Sequence, residues 1–132
     1  MPHPVVPHPV GPIRAPLLAC CLAAMLAAPA LAVQTADLAP AFSNTIVSTY
    51  PDGRKAKLWL NKDGSYRAQG RRGKSSGGVW TIKGEKLCLK QKKPMAGPFS
   101  YCTPVKRGGV GTSWSGKAVT GEAIRIEVVA GR

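Results

Sequence analysis

The chain has 132 residues, with 19 Lys and Arg against 6 Asp and Glu, a formal net charge of +13 at pH 7. That length holds one domain, and all but one of the 15 glycines fall after residue 32 with no long helical periodicity around them, which points to turns and strands. The only histidines, His3 and His8, lie near the start, so nucleophilic catalysis of the Ser/His or Cys/His kind has no base in the rest of the chain.

Residues 1–32 read as a leader. Proline recurs at nearly every second or third position of M-P-H-P-V-V-P-H-P-V-G-P-I-R-A-P, with Arg14 the one cation, and a segment that has lost so many backbone donors stays extended. Residues 17–28 are apolar and uncharged, and Pro29 and the triplet Ala30, Leu31, Ala32 follow. A cation, an apolar core of about a dozen residues and a small-x-small site are the parts of a secretory signal peptide. Cleavage is expected after Ala32, which places the remainder in the periplasm or outside the cell. Two other readings conflict with the sequence. Leu17-Leu18-Ala19-Cys20 has the form of a lipoprotein site, but the apolar run lies mostly after Cys20. An uncleaved anchor needs about 20 apolar residues, and this run is shorter and broken by Pro29.

Cys20 and Cys21 leave with such a leader, so Cys88 and Cys102 remain. An exported chain with two cysteines is expected to pair them. The bond would close a loop of about 15 residues, worth about 3 kcal/mol in the chain-entropy model. Two cysteines without histidine cannot fill the four positions of a zinc site. No metal or cofactor is expected.

In chain order, residues 33–43 form a flexible lead-in to one β domain spanning 44–130. The stretch 42–50 (F-S-N-T-I-V-S-T-Y) is β-branched and aromatic and reads as the first strand. A Pro51-Asp52-Gly53-Arg54 turn follows, in which Pro presets φ and Gly accepts the left-handed position. Residues 55–61 (K-A-K-L-W-L-N) alternate, with Ala56, Leu58 and Leu60 on one face and Lys55, Lys57, Trp59 and Asn61 on the other. Residues 65–71 return after a turn at Gly64. Parity sets Leu60 opposite Tyr66 and Leu58 opposite Ala68 inside, and Trp59 opposite Arg67, Lys57 opposite Gln69 and Lys55 opposite Arg71 outside.

Residues 72–76 read as a basic, flexible loop. Trp80 and Ile82 share the inner face of the next strand. Gly84 and Glu85 make a two-residue turn of the type II′ kind, and Leu87 and Leu89 return inward opposite them. Cys88 and Cys102 both face outward on neighbouring strands, so the disulfide pins their register. Tyr101, Thr103 and Val105 point inward, as do Trp114, Gly116 and Ala118 and then Ile124, Ile126 and Val128.

The fold class is therefore all-β: an antiparallel up-and-down meander of about seven or eight strands with one disulfide. Sequential strands with one apolar face need closure or a cover. A small barrel or strongly curled sheet is the economical answer, with an OB-like or sandwich arrangement as the structural alternative. Trp80, Trp114, Tyr66 and Tyr101 are available to fill the interior.

No catalytic constellation emerges. Asp52, Asp63 and Glu85 sit in turns, where an acid beside Gly does turn chemistry. A Ser/Lys dyad has no strand-turn-helix to place its Ser. The Gly pairs at 77–78 and 108–109 resemble phosphate cradles only loosely, since neither precedes a helix. The chain is expected not to be an enzyme.

The positive signal is the basic face. Lys55, Lys57, Arg67, Arg71, Arg72 and Lys74 surround the outward Trp59, and an aromatic among cations suits an anionic surface through stacking plus charge. The plainer account is that Arg67 merely covers Trp59 and the charge maintains solubility. In a bacterial envelope the polyanions are lipopolysaccharide, phospholipid headgroups, acidic glycans and extracellular DNA; an envelope lipid or glycan is the expected partner, rather than nucleic acid, of a monomer.

The run Gly78-Val79-Trp80, with Leu87-Cys88, Tyr101-Cys102 and the ending Gly121-Glu122-Ala123-Ile124-Arg125, resembles small exported proteins of proteobacteria, especially alphaproteobacteria, across residues 44–131. That likeness brings no function with it. A looser similarity, in size, leader, strand pattern and disulfide, is to small calycin-type barrels, including secreted protease and lysozyme inhibitors. Lysozymes are commonly basic, so an inhibitor of one is expected to be acidic and the charge here opposes that version. A protease-inhibitor-like protein and a structural envelope protein are the alternatives to an anion-binding module.

Overall fold

The computed structural model describes residues 2–13 and 32–132. The apolar run of the expected leader lies at 17–28, outside the described residues. Residues 2–13 are exposed and carry no regular structure.

From Thr35 the chain forms a 3-10 turn, Thr35–Leu38, a helical turn α1, Ala39–Phe42, and then eight strands: β1 Thr45–Thr49, β2 Lys55–Leu60, β3 Ser65–Gln69, β4 Ser75–Lys83, β5 Lys86–Lys93, β6 Ser100–Pro104, β7 Ser113–Lys117 and β8 Ala123–Val129. They make one antiparallel sheet in the order β6-β5-β4-β3-β2-β1-β8-β7. Because β8 returns to pair with β1, the meander curls into a nearly closed barrel. Its seam lies between β6 and β7, which no ladder joins among the described residues. The Tyr101 hydroxyl bridges the seam by donating to the Lys117 carbonyl.

Parity dictates the register. Leu60 faces Tyr66, Leu58 faces Ala68 and Trp59 faces Arg67, while Trp80 faces Leu89 and Ile82 faces Leu87. A one-residue slip would turn each of these apolar sets to solvent. Gly84 takes φ +60° in the two-residue β4–β5 turn, the left-handed first position that a type II′ hairpin requires. Cys88 and Cys102 are direct cross-strand partners, bonded with their Cα atoms 4.0 Å apart. Cys88 lies on the outer side of the sheet, as expected, yet is only 2% exposed; its bonded partner Cys102 is exposed.

Four boundaries differ from the sequence reading. Residues 33–43 are not a loose lead-in: they hold two helical turns, and Val33, Leu38 and Ala41 are buried. Phe42 belongs to α1 and not to the first strand, and its ring packs 5.8 Å from that of Trp80. Ser75 and Ser76 begin β4 instead of ending a loop. Arg71 has no ladder partner, because β3 stops at Gln69.

The inward side chains Ile46, Leu60, Tyr66, Trp80, Leu87, Ile124 and Ile126 form the core, joined by Leu38 and Ala41 from the helical turns. The Trp80 indole N–H donates to the Asn61 carbonyl at 2.8 Å. A cavity of about 60 Å³ remains beneath the seam, bordered by Leu38, Tyr101, Thr103 and Trp114 among others. The Trp114 indole nitrogen is buried without a hydrogen-bond partner among the described residues.

An up-and-down barrel sends its connections alternately to two ends. One end gathers the turns at 50–54, 70–74 and 118–122 and the loop at 94–99. The other gathers the turns at 61–64 and 84–85, the loop at 105–112 and the helical lead-in, with the Val33 N–H donating to the Gly84 carbonyl at 3.0 Å. Arg107 fastens this second end, donating to Asp37 at 2.9 Å and to the Ala32 carbonyl at 2.6 Å.

Candidate functional site

The expected basic patch divides between two places. Lys55, Lys57 and Trp59 stand on the outer face of β2 and Arg67 on β3, while Arg71, Arg72 and Lys74 sit in the β3–β4 turn at one end of the barrel. Lys55, Lys57, Arg67, Arg72 and Lys74 are exposed, and none of them makes an ion pair among the described residues.

Trp59 is half-buried and engaged on two sides. Its indole N–H donates to the Thr45 hydroxyl at 2.9 Å, and that hydroxyl donates to the Gly131 carbonyl at 2.7 Å. The Arg67 guanidinium lies 5.2 Å from the Trp59 ring centroid, within cation–π range. The ring therefore positions Arg67.

Arg71 holds the barrel end together. It donates to both carboxylate oxygens of Glu122, at 3.1 and 2.7 Å, approaches Asp52 at 3.5 Å and stacks 4.2 Å from the Tyr50 ring centroid. Three separate turns meet on this one guanidinium. The Arg71 hydrogen bond, with help from the Thr120 hydroxyl, holds the Glu122 carboxyl below its ordinary pKa. Asp63 is likewise lowered, by hydrogen bonds from the Ser65 hydroxyl and N–H across its turn, the turn chemistry expected of an acid before Gly.

Beside Arg67 the outer face opens into a groove of about 620 Å³. The ladder continues from Trp59 through Arg67 and Gly77 to Lys93, so Gly77 leaves a gap in a row of long side chains. The pairing shifts between Gly77 and Gly78, leaving Lys92 as the extra residue of a β-bulge, which bends the strand and re-aims its side chains. Arg67 borders one side of the groove and Lys92, Lys93 and Pro94 the other, with Ser65, Ser75, Ser76 and Asn61 also lining it and no carboxylate among the lining residues.

Both glycines are required there. A Cβ on Gly77 would lie 2.9 Å from the Tyr66 carbonyl oxygen, and one on Gly78 would lie 1.9 Å from the Lys90 carbonyl oxygen. The Gly pair is thus a point of close strand passage that floors the groove with backbone. Lys92 and Lys93 are not among the cations that sequence reasoning sets around Trp59, and it puts Ser75 and Ser76 in a loop. The one available signal was the Gly-Gly pair, since glycine inside a strand marks a bulge or a close approach.

Chemically, the arrangement offers positive charge, hydroxyl and amide groups and an open floor. No group of three or more His, Cys, Asp or Glu side chains gathers among the described residues, and no helix there is long and apolar enough to cross a membrane. Comparison with models of known families, with curated proteins and with solved structures finds no match to this chain.

Proposed function

We propose that this chain is an exported, monomeric, non-enzymatic β-barrel module that binds an anionic partner of the cell envelope, a lipid, a glycan or another polyanion. The observation that carries the reading is the groove beside Trp59: Arg67, Lys92 and Lys93 border it without an opposing carboxylate, on a chain of net charge +13. Concave surfaces lined by one sign of charge concentrate their counter-ions. The stacked Trp59 ring holds Arg67 in place and lowers the ordering cost of using it.

The test is retention on heparin, DNA and lipopolysaccharide across a salt series. Binding should weaken as salt rises, because each neutralised anion releases a counter-ion. The variant Arg67→Gln, Lys92→Gln, Lys93→Gln should flatten the salt slope by roughly 0.7–0.9 per lost contact. Absent or salt-independent retention would refute the reading.

A further inference from the structure

We infer that the barrel end formed by the 50–54, 70–74, 94–99 and 118–122 connections docks on the surface of an anionic phospholipid bilayer; this rests on the anionic-partner reading above and names the partner. Among the described residues outside 2–13, the three most exposed large apolar side chains are Phe99 at 83%, Val119 at 80% and Met95 at 71%, and all three stand on this one end. Val110, at 55%, is the only other described residue of this kind outside that segment to exceed half exposure, and it lies at the opposite end.

The three are brought together by the fold. Met95 and Phe99 lie on the β5–β6 loop and Val119 on the β7–β8 turn, on the two sides of the seam. Tyr101 and Lys117, close to Phe99 and Val119 in the chain, are joined across the seam by the hydroxyl-to-carbonyl hydrogen bond. The β5–β6 loop is braced from within: the Gly97 N–H donates to the Gln91 carbonyl at 3.0 Å, and the Gln91 side-chain amide donates to the Met95 carbonyl at 3.2 Å. The Cys88–Cys102 bond closes its base. Met95 and Phe99 are therefore presented outward by an organised loop.

The charge at this end is of one effective sign. Its two acids, Asp52 and Glu122, are both engaged by Arg71. Arg54, Arg72, Lys74, Lys93 and Lys117 are exposed around it and make no ion pair among the described residues. The cation-lined groove runs up to the same end, since Lys93 and Pro94 border it. Apolar side chains projecting beyond a ring of cations suit a headgroup layer over hydrocarbon, where neither contribution alone holds a protein firmly and the two together do. A protein partner would call for acids to meet these cations around an apolar patch, and it is an outcome of the test.

The experiment is sedimentation of the folded chain with phosphatidylcholine vesicles and with mixed phosphatidylcholine–phosphatidylglycerol vesicles, beside heparin retention. Binding is expected only with phosphatidylglycerol present. Met95→Ser combined with Phe99→Ser should lower vesicle partitioning roughly ten-fold or more and leave heparin retention and melting temperature unchanged. Lys74→Gln and Lys93→Gln should each cost about five-fold at low salt. If the Met95, Phe99 variant does not fold, Val119→Ser carries the same test from across the seam. Vesicle binding that ignores the apolar substitutions, or heparin retention without any vesicle binding, overturns the docking face and leaves the anionic-partner reading standing. Loss of both kinds of binding in the unaltered chain overturns both. A soluble protein that captures the chain through Phe99 while vesicles do not would also overturn it.

Discussion

Gly78→Ala tests the account of the bulge most sharply. The added methyl group would sit 1.9 Å from the Lys90 carbonyl oxygen, 2.9 Å from its carbon and 3.0 Å from the Gln91 Cα. Even a close C–H···O contact keeps about 3.3 Å, so β4 and β5 must part by more than an ångström. All three opposing atoms are backbone, and no rotamer change relieves them. Overpacking of this kind costs about 1–3 kcal/mol or more, and disturbing the ladder forfeits about 1 kcal/mol per hydrogen bond. Restricting the unfolded chain returns only about 0.4–1 kcal/mol. The net expectation is a loss of about 3 kcal/mol, which lowers the melting temperature of a domain this size by roughly 12–24 °C. The assay is thermal unfolding followed by circular dichroism. Gly109→Ala is the matched control: nothing lies within 4 Å of its added Cβ and its φ is outside the left-handed range, so it should melt unchanged or slightly higher. A Gly78→Ala protein melting within a few degrees of the parent would refute the close-passage argument.

Cys88→Ser should lower stability by about 3 kcal/mol by freeing the loop that the bond closes, while heparin retention survives; unchanged melting with lost retention would move the cysteines from scaffold to site. Glu122→Gln tests the Arg71 cluster through pH. The folded-state pKa of Glu122 is depressed, so its contribution is present above the ordinary carboxylate range and is lost as pH falls through the folded value. The melting gap between parent and variant should therefore be open at neutral pH and close in acid, and a gap independent of pH would contradict the assignment. Trp80→Phe removes one of two donors to the Asn61 carbonyl, which keeps the Gly64 N–H at 3.1 Å, and forfeits a hydrogen bond worth about 0.5–1.5 kcal/mol, whereas Trp114→Phe deletes a buried donor that has no partner among the described residues. Urea midpoints should fall further for Trp80→Phe, and the reverse order would count against this reading of the two indoles.

Much of the barrel was legible because alternation carries a register within it. Lys55 to Leu60, Tyr66 to Ala68 and Trp80 to Leu89 each split cleanly into apolar and polar faces, and one arrangement buries all the apolar sets. Gly84 and the two cysteines then agreed with that arrangement from independent chemistry. The helical lead-in was not legible. Gln34 is a weak N-cap residue, its turn closed by the Gln34 N–H donating to Asp37 at 2.7 Å, and two four-residue turns are too short to show a helical period. Pro40 at the start of α1 was the available hint, since proline favours first-turn positions. Phe42 was drawn into a strand because an aromatic beside β-branched residues fits that pattern equally well. The groove was invisible for a different reason. Its floor depends on a bulge that shifts β5 by one residue at Lys92, and a parity argument carried along 86–91 has no means of detecting an inserted residue beyond it.

The placement of the few acids explains why the barrel wall is so one-sided, and it yields a prediction about salt. Asp52 and Glu122 meet Arg71 at one end, and Asp37 meets Arg107 at the other. Half of the six acids are thus engaged by two arginines that tie connections together, and the lysines along the strands keep no carboxylate partners among the described residues. Such a chain destabilises itself through like-charge repulsion. Screening over about 10 Å at 0.1 M salt weakens that repulsion between neighbouring strands, and it weakens the ion pairs at the ends as well. The cations outnumber the acids about threefold, and partly exposed ion pairs contribute about 0–1 kcal/mol each, so relief of repulsion should win. The melting temperature should rise from low to moderate salt, and heparin at low salt should raise it further by binding the folded state. A melting temperature that falls as salt is added would mean that the two end clusters outweigh the cationic wall. The surplus charge would then be tolerated at no cost in stability, and its standing as evidence for an anionic partner would weaken with it.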